Sequence, residues 1–240
     1  MHSAFDKVLL NGLTVPLRPF YRRYPFRSAA SIRSADDRGM VDMELGFFCN
    51  RVPKAANSTV VTNLARLKFG RDIDSPDAKK MFTTPARLSK AEVERFPSLF
   101  KFTVVRSPYT RTLSAYLDKI ERRALRAGKE SSFRDFLLQA KNKQRFLFSN
   151  AHWAPQSSLM LIPVEQFDFI GKVESLNDDL AEITRRIRPE LEQSLTSFKK
   201  NATGAGDKLR HYYDDELIAL VQDLYRDDFT TFNYSTDFPV

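Results

Sequence analysis

The chain carries a single cysteine, Cys49, which excludes an intramolecular disulfide and argues against a secreted domain built on disulfides. It lacks any apolar run near the roughly 20 residues needed to cross a bilayer. Val8-Leu9-Leu10 is cut off by Asn11-Gly12, too short for the core of a signal peptide, so a cytoplasmic protein is expected. Glycine is missing where a nucleoside-triphosphate loop would need it. Such a loop takes two glycines and a Lys directly before Ser or Thr, whereas Pro53-Lys54-Ala55-Ala56-Asn57-Ser58 has no glycine and sets Lys54 four residues before Ser58. An acidic excess is lacking too. Thirty-eight basic against 30 acidic residues give a net charge of +8 and a pI near 9.6, which suits an anionic ligand, substrate or surface without choosing among them.

What is present is enough apolar content for one core: 240 residues at 42% hydrophobic predict a single domain. It is preceded by an arm. Residues 1–40 interleave Arg18, Arg22, Arg23, Arg27, Arg33 and Arg38 with Phe20, Tyr21, Tyr24 and Phe26, broken by Pro16, Pro19 and Pro25. That arm either binds a polyanion or a partner subunit by charge and stacking, or packs over the domain of residues 41–240; the second reading is preferred.

Phe47, Phe48 and Val52 favour a buried strand that Pro53 ends, and Asn57 or Ser58 can cap a helix carrying Val60, Val61, Leu64 and Leu67 up to a stop at Gly70. Ser89-Lys90-Ala91-Glu92 has the spacing of a capping box, for a short helix stopping before Pro97. Lys101–Val105 reads as a second strand. Ser107 and Pro108 open a long helix with Leu113, Tyr116, Leu117 and Ile120 inward. Further strands are expected over 158–162 and 167–173, and further helices from Ser131 or Ser132, Ser175 and Asp214, with a basic loop over 194–211. Strands alternating with helices predict an α/β fold: a parallel sheet flanked by helices.

In such a sheet ligands gather at the carboxyl ends of the strands, so the turns at Lys54 and Arg106 should open onto one crevice. Helix N–H groups and the Lys54 ammonium form one anion site. The second strand ends in Arg106, a planar fork that grips an oxyanion directly, where a metal-using nucleotide enzyme often has Asp; this points to anion binding without a metal. Ser114 lies about two helical turns further on.

Pro53–Ser58 resembles the 5′-phosphosulfate loop of sulfotransferases that use 3′-phosphoadenosine 5′-phosphosulfate (PAPS), and Arg106–Tyr116 resembles their 3′-phosphate motif. His152–Gln156, Phe167–Glu174 and the tail from Tyr212 through Asp228-Phe229 to Tyr234 are similar to the carbohydrate-sulfotransferase branch of chondroitin and HNK-1 enzymes. The chain departs from these in paired cysteines, in a membrane anchor and in Ala56 where Gly is common. A bacterial-type cytoplasmic relative is therefore expected.

The resemblance implies the P-loop-like sulfotransferase fold, PAPS as donor, adenosine 3′,5′-bisphosphate (PAP) as product and no metal. Lys54 and the backbone of Ala55, Ala56, Asn57, Ser58 and Thr59 would hold the phosphosulfate; Arg106 and Ser114 would hold the 3′-phosphate. Lys208 and Arg210 would close over the nucleotide. His152 is the first candidate for the general base because it titrates in the useful range, with Glu92 and Glu94 behind it. The acceptor would be a hydroxyl, of a carbohydrate for preference, with no nucleic acid as partner and the oligomeric state open. The alternative from another class is a non-catalytic polyanion- or RNA-binding protein that uses the arginine-rich arm.

Overall fold

The computed structural model describes residues 14–194 and 205–239. Four strands lie in one sheet in chain order: β1 (Gly39–Asp42), β2 (Phe47–Asn50), β3 (Phe100–Val105) and β4 (Phe169–Lys172). β1 pairs antiparallel with β2, while β2, β3 and β4 are parallel, with Cys49 opposite Phe102 and Phe102 opposite Phe169. The helices that matter here are α1 (Asn57–Phe69), α2 (Pro108–Tyr116), α3 (Phe133–Asn142), α4 (Leu176–Ile187), α5 (Ala205–Tyr212), α6 (Asp215–Leu224) and α7 (Arg226–Thr231). The mainly parallel α/β architecture read from the sequence is therefore the one found.

Side-chain alternation explains why the sheet is covered on both faces. Phe47, Cys49, Phe102 and Val104 pack against Val60, Val61 and Leu64 of α1 and Leu180 and Ile183 of α4. Phe48 points the other way, onto Phe20, Tyr21, Phe96, Leu161 and Ile162. A third layer is wholly helical, with Tyr109 and Leu113 of α2 against Phe133 and Phe136 of α3 and Val221 of α6. Phe20 is fully buried and Tyr21 nearly so, so two of the arm's aromatic rings are spent in this core rather than offered for stacking.

Local signals set many of the boundaries. Gly70 closes α1 with a positive φ of 65°, Ser89 and Glu92 form both bonds of the capping box, Ser132 caps α3 and Asp214 caps α6. Three expectations are corrected. The stretch 158–162 is not a strand: it makes a 3-10 turn, Ser157–Leu159, and an irregular run. The Asn50 amide supplies what a neighbouring strand would have, donating to the Leu159 carbonyl at 3.3 Å and accepting from Leu161 N–H at 2.8 Å. Of the loop expected over 194–211, Lys199, Lys200 and Gly204 lie outside the described residues, whereas Ala205–Tyr212 is helix α5. Neither Asn57 nor Ser58 caps α1; Ala56 holds that position in the left-handed region with no side-chain cap bond. The antiparallel β1 carries too short a pattern to announce itself. Its Gly39 is required by packing, since a Cβ there would meet Pro85 Cδ at 2.5 Å.

Candidate active site

The turn from β2 into α1 stores backbone strain. Lys54 and Ala56 both take positive φ, 68° and 51°, where an L side chain costs about 1–2 kcal/mol. This geometry leaves the first turn of α1 without a side-chain cap. Asn57 is unavailable for capping because its Oδ1 accepts from Arg51 Nη1 at 3.2 Å. Ala55 N–H is used within the turn, donating to the Val52 carbonyl, and Val60 N–H begins the helical ladder on Ala56. Among the described residues the N–H groups of Asn57, Ser58 and Thr59 take no partner, the arrangement from which helix N-termini bind anions.

The Lys54 ammonium is drawn across the turn to Asp118 Oδ2 at 3.2 Å. Asp118 lies on the π-helical turn Leu117–Glu121 that extends α2. The same carboxylate meets Lys119 at 3.1 Å and Arg122 at 3.1 Å. Burial lowers the Lys54 pKa, and Asp118 opposes that by favouring the charged form. For Asp118, burial raises the pKa but the lysines outweigh it, leaving the carboxyl below its ordinary value.

At the tip of β3 the backbone is locked from both sides. Arg106 N–H donates to Gln156 Oε1 at 3.0 Å and the Gln156 amide donates back to the Arg106 carbonyl at 2.9 Å. Gln156 is held in turn, since its own N–H and that of Ser157 both donate to the buried carboxylate of Asp228, each at 2.8 Å. The Arg106 guanidinium, oriented by Thr110 Oγ1 at 2.9 Å, reaches the Lys54 carbonyl at 3.3 Å. Arg111, fully enclosed, clamps the turn from below by donating to the carbonyls of Pro53, Ala154 and Ala151 at 3.1, 2.8 and 2.9 Å. The two cationic strand tips are thus neighbours.

Ser114 is buried on α2 and lines, with Asp118, Arg122 and Lys208, a cleft of about 500 Å³. Lys208 projects from α5 into that lining; Arg210, also exposed, is not part of it. Among the described residues no group of three or more His, Cys, Asp or Glu side chains stands together to hold a metal.

His152 sits on the other side of the Lys54 turn, in a second cleft of about 710 Å³ that also takes in Pro53 and Asn57. Asn150 Oδ1 accepts both the His152 backbone N–H at 3.1 Å and Nδ1 at 2.7 Å, which assigns the proton to Nδ1 and the free lone pair to Nε2. Burial, helped by the positive charges of Lys119, Arg38, Lys54 and Arg111, pushes its pKa down to about 4. The expectation that His152 titrates near neutrality is corrected: it is neutral at pH 7 and holds a proton weakly. Glu92 is occupied by the capping box.

Sequence reasoning missed Asp118 as the partner of Lys54, Gln156 and Arg111 as supports of the turn, and the cations of the second cleft. Asp118 had a signal, lying one turn past Ser114 on the same helix. Gln156 had none beyond its place in a motif.

Comparison with known proteins gives the family. Residues 37–235 match the family described as "Sulfotransferase family". Mouse carbohydrate sulfotransferase 8 is 27% identical over 176 residues, covering 61% of this chain and 42% of the mouse protein. Human carbohydrate sulfotransferase 9 is 25% identical over 201 residues, 71% of this chain and 43% of the relative. Zebrafish carbohydrate sulfotransferase 11 is 26% identical over 171 residues, 59% and 48% respectively. The chain thus spans less than half the length of these relatives, and no solved structure matches it. With the matched segment running from just before β1 to beyond α7, the chain belongs to the sulfotransferase family.

Proposed function

We propose that the protein transfers a sulfuryl group from PAPS to a hydroxyl of a carbohydrate. The observation that carries this reading is the meeting of the two cationic strand tips, with the Arg106 guanidinium 3.3 Å from the carbonyl of Lys54 above an uncapped helix N-terminus. A donor with a phosphosulfate at one end and a 3′-phosphate at the other presents two anions, and the residues present fit it: backbone N–H groups and one ammonium on one side, a planar guanidinium on the other.

In the reaction an acceptor oxygen bonds to sulfur as the bond from sulfur to the phosphate oxygen breaks, and PAP leaves. Negative charge grows on the sulfuryl and bridging oxygens. Lys54, once its ammonium leaves Asp118 for the donor, and the free N–H groups of Asn57, Ser58 and Thr59 are positioned to stabilise it. Arg106, Ser114 and Lys208 act on affinity for the nucleotide, with Lys208 entering from α5. His152 Nε2 is the atom assigned to receive the acceptor's proton. Its low pKa keeps it unprotonated, and an anionic donor beside Lys54 offsets the surrounding positive charge that makes it a weak base.

Among the described residues no helix is long and apolar enough to cross a membrane. The carbohydrate acceptor rests on the relatives' names.

Lys54→Ala tests the assignment. Sulfate transfer from labelled PAPS to a glycan panel should fall by about 10²–10³-fold, the usual cost of one oxyanion donor. Turnover within a few-fold of the unaltered protein would overturn it.

A further inference from the structure

The stretch 151–157 belongs to no strand and to no α-helix, yet its backbone is held by side chains that are themselves enclosed. Arg111 of α2 donates to the carbonyls of Ala151 and Ala154, and Tyr225, between α6 and α7, donates its hydroxyl to the Trp153 carbonyl at 2.8 Å. Asp228 of α7 accepts the N–H groups of Gln156 and Ser157, one on each carboxylate oxygen. Its exposure is 0%. Burial raises the Asp228 pKa, and Arg111 together with those two N–H groups opposes the rise. A carboxylate taken fully out of water is often no more stabilising than a well-packed apolar side chain, so stability alone does not account for it.

The reason lies at the far end of the stretch. The ladder between β3 and β4 ends at Val105 opposite Lys172, so the backbone of Arg106 stands past the last strand pair. The Gln156 side chain takes over there, accepting the Arg106 N–H and donating to the Arg106 carbonyl. Asp228 fixes where that side chain starts, through the Gln156 N–H at 2.8 Å. The Arg106 guanidinium, oriented by Thr110 and 3.3 Å from the Lys54 carbonyl, moves with the backbone that Gln156 holds. Arg111 also takes the Pro53 carbonyl at 3.1 Å, which ties the same stretch to the other strand tip. A misplacement of about 1 Å in a binding group is enough to cost most of its effect.

We propose that Asp228 is a positioning residue for donor recognition: through Gln156 it sets where the Arg106 guanidinium stands, and so gives the site its preference for a nucleotide carrying a 3′-phosphate. The inference deepens the sulfotransfer reading and rests on it for the role of Arg106. Asp228 itself is enclosed by the fold and out of a ligand's reach. Of the groups it holds, Gln156 is the one that reaches Arg106.

The test is calorimetric titration with a matched pair of nucleotides, PAP and adenosine 5′-monophosphate, which differ only in the 3′-phosphate. The unaltered protein should bind PAP at least about tenfold more tightly, the scale of one charge-assisted contact. Asp228→Asn replaces one accepting oxygen by an amide nitrogen that cannot accept an N–H. It should weaken PAP by about tenfold and leave the monophosphate unchanged, which removes most of the preference. Gln156→Met keeps the length of the side chain and leaves the Asp228 carboxylate paired, so it carries the same prediction if Asp228→Asn does not fold. In an Arg106→Ala background neither substitution should weaken PAP further, because there is no guanidinium left to position. An equal loss for both nucleotides would make Asp228 a purely structural residue and overturns the inference. So does a full PAP preference in the variants, or a further loss beyond that of Arg106→Ala. If the unaltered protein itself binds the two nucleotides alike, the sulfotransfer reading of Arg106 fails and takes this inference with it.

Discussion

The two clefts flanking the Lys54 turn use positive charge in opposite ways. On the side of Ser114 the cations at the strand tips have fixed partners: Lys54 has Asp118, Arg106 has Thr110 and the Lys54 carbonyl, and Arg111 has three carbonyls. On the side of His152 the cations face one another, and Arg51 Nε is left with nothing. The first arrangement is a frame fixed by hydrogen bonds and one ion pair. The second sets like charges against one another, and it depresses the base that stands within it.

Four substitutions would break or sharpen that contrast, beginning with Lys54→Ala above. His152→Ala should lower turnover by about 10²-fold or more if Nε2 takes the acceptor proton. The pH profile checks the role independently. Because the His152 pKa is depressed to about 4 and its neutral form is the active one, kcat/KM should be flat through neutrality and fall as pH drops through about 4. That limb should vanish in the variant; a limb that persists unchanged removes His152 from the reaction.

Arg111→Ala should act on the frame instead of the chemistry. It strands the carbonyls of Pro53, Ala154 and Ala151 and empties a fully buried site, so urea unfolding should show a loss of about 3 kcal/mol or more. A loss below about 1 kcal/mol would mean that the turn is held by other means. The smallest effect belongs to Asp118→Asn. Asp118 competes with an anionic donor for Lys54, so its neutralisation should tighten PAP binding by up to about fivefold, the scale of a partly exposed ion pair. Weaker binding would show that Asp118 orients Lys54 for the ligand rather than occupying it.

The same contrast explains what could be read in advance. The frame follows from strand ends: Lys54 sits at the end of one apolar strand and Arg106 at the end of the next, so the sequence alone predicts that they meet. Ser114 followed from helical spacing. The cleft of Arg38, Arg51, Lys79 and His152 is drawn from four separate segments, each of which reads alone as a solvated charge. What joins them is β1, a four-residue strand with no periodic signal, which carries the end of the arm alongside β2. The strand expected over 158–162 went the other way. Its apolar residues are buried as their pattern required, but the side chain of Asn50 had already taken the backbone groups a ladder would use. The uncapped start of α1 was likewise illegible, because Asn57 is a good capping residue in isolation and only the fold gives its oxygen to Arg51.

The central claim is that the tips of β2 and β3 clasp one doubly phosphorylated adenosine, and calorimetry of PAP in metal-free buffer tests it most directly. The account predicts a single site whose affinity falls in Lys54→Ala and falls again in Arg106→Ala, each by about tenfold or more. Binding that requires magnesium, or that Arg106→Ala leaves untouched, would contradict it.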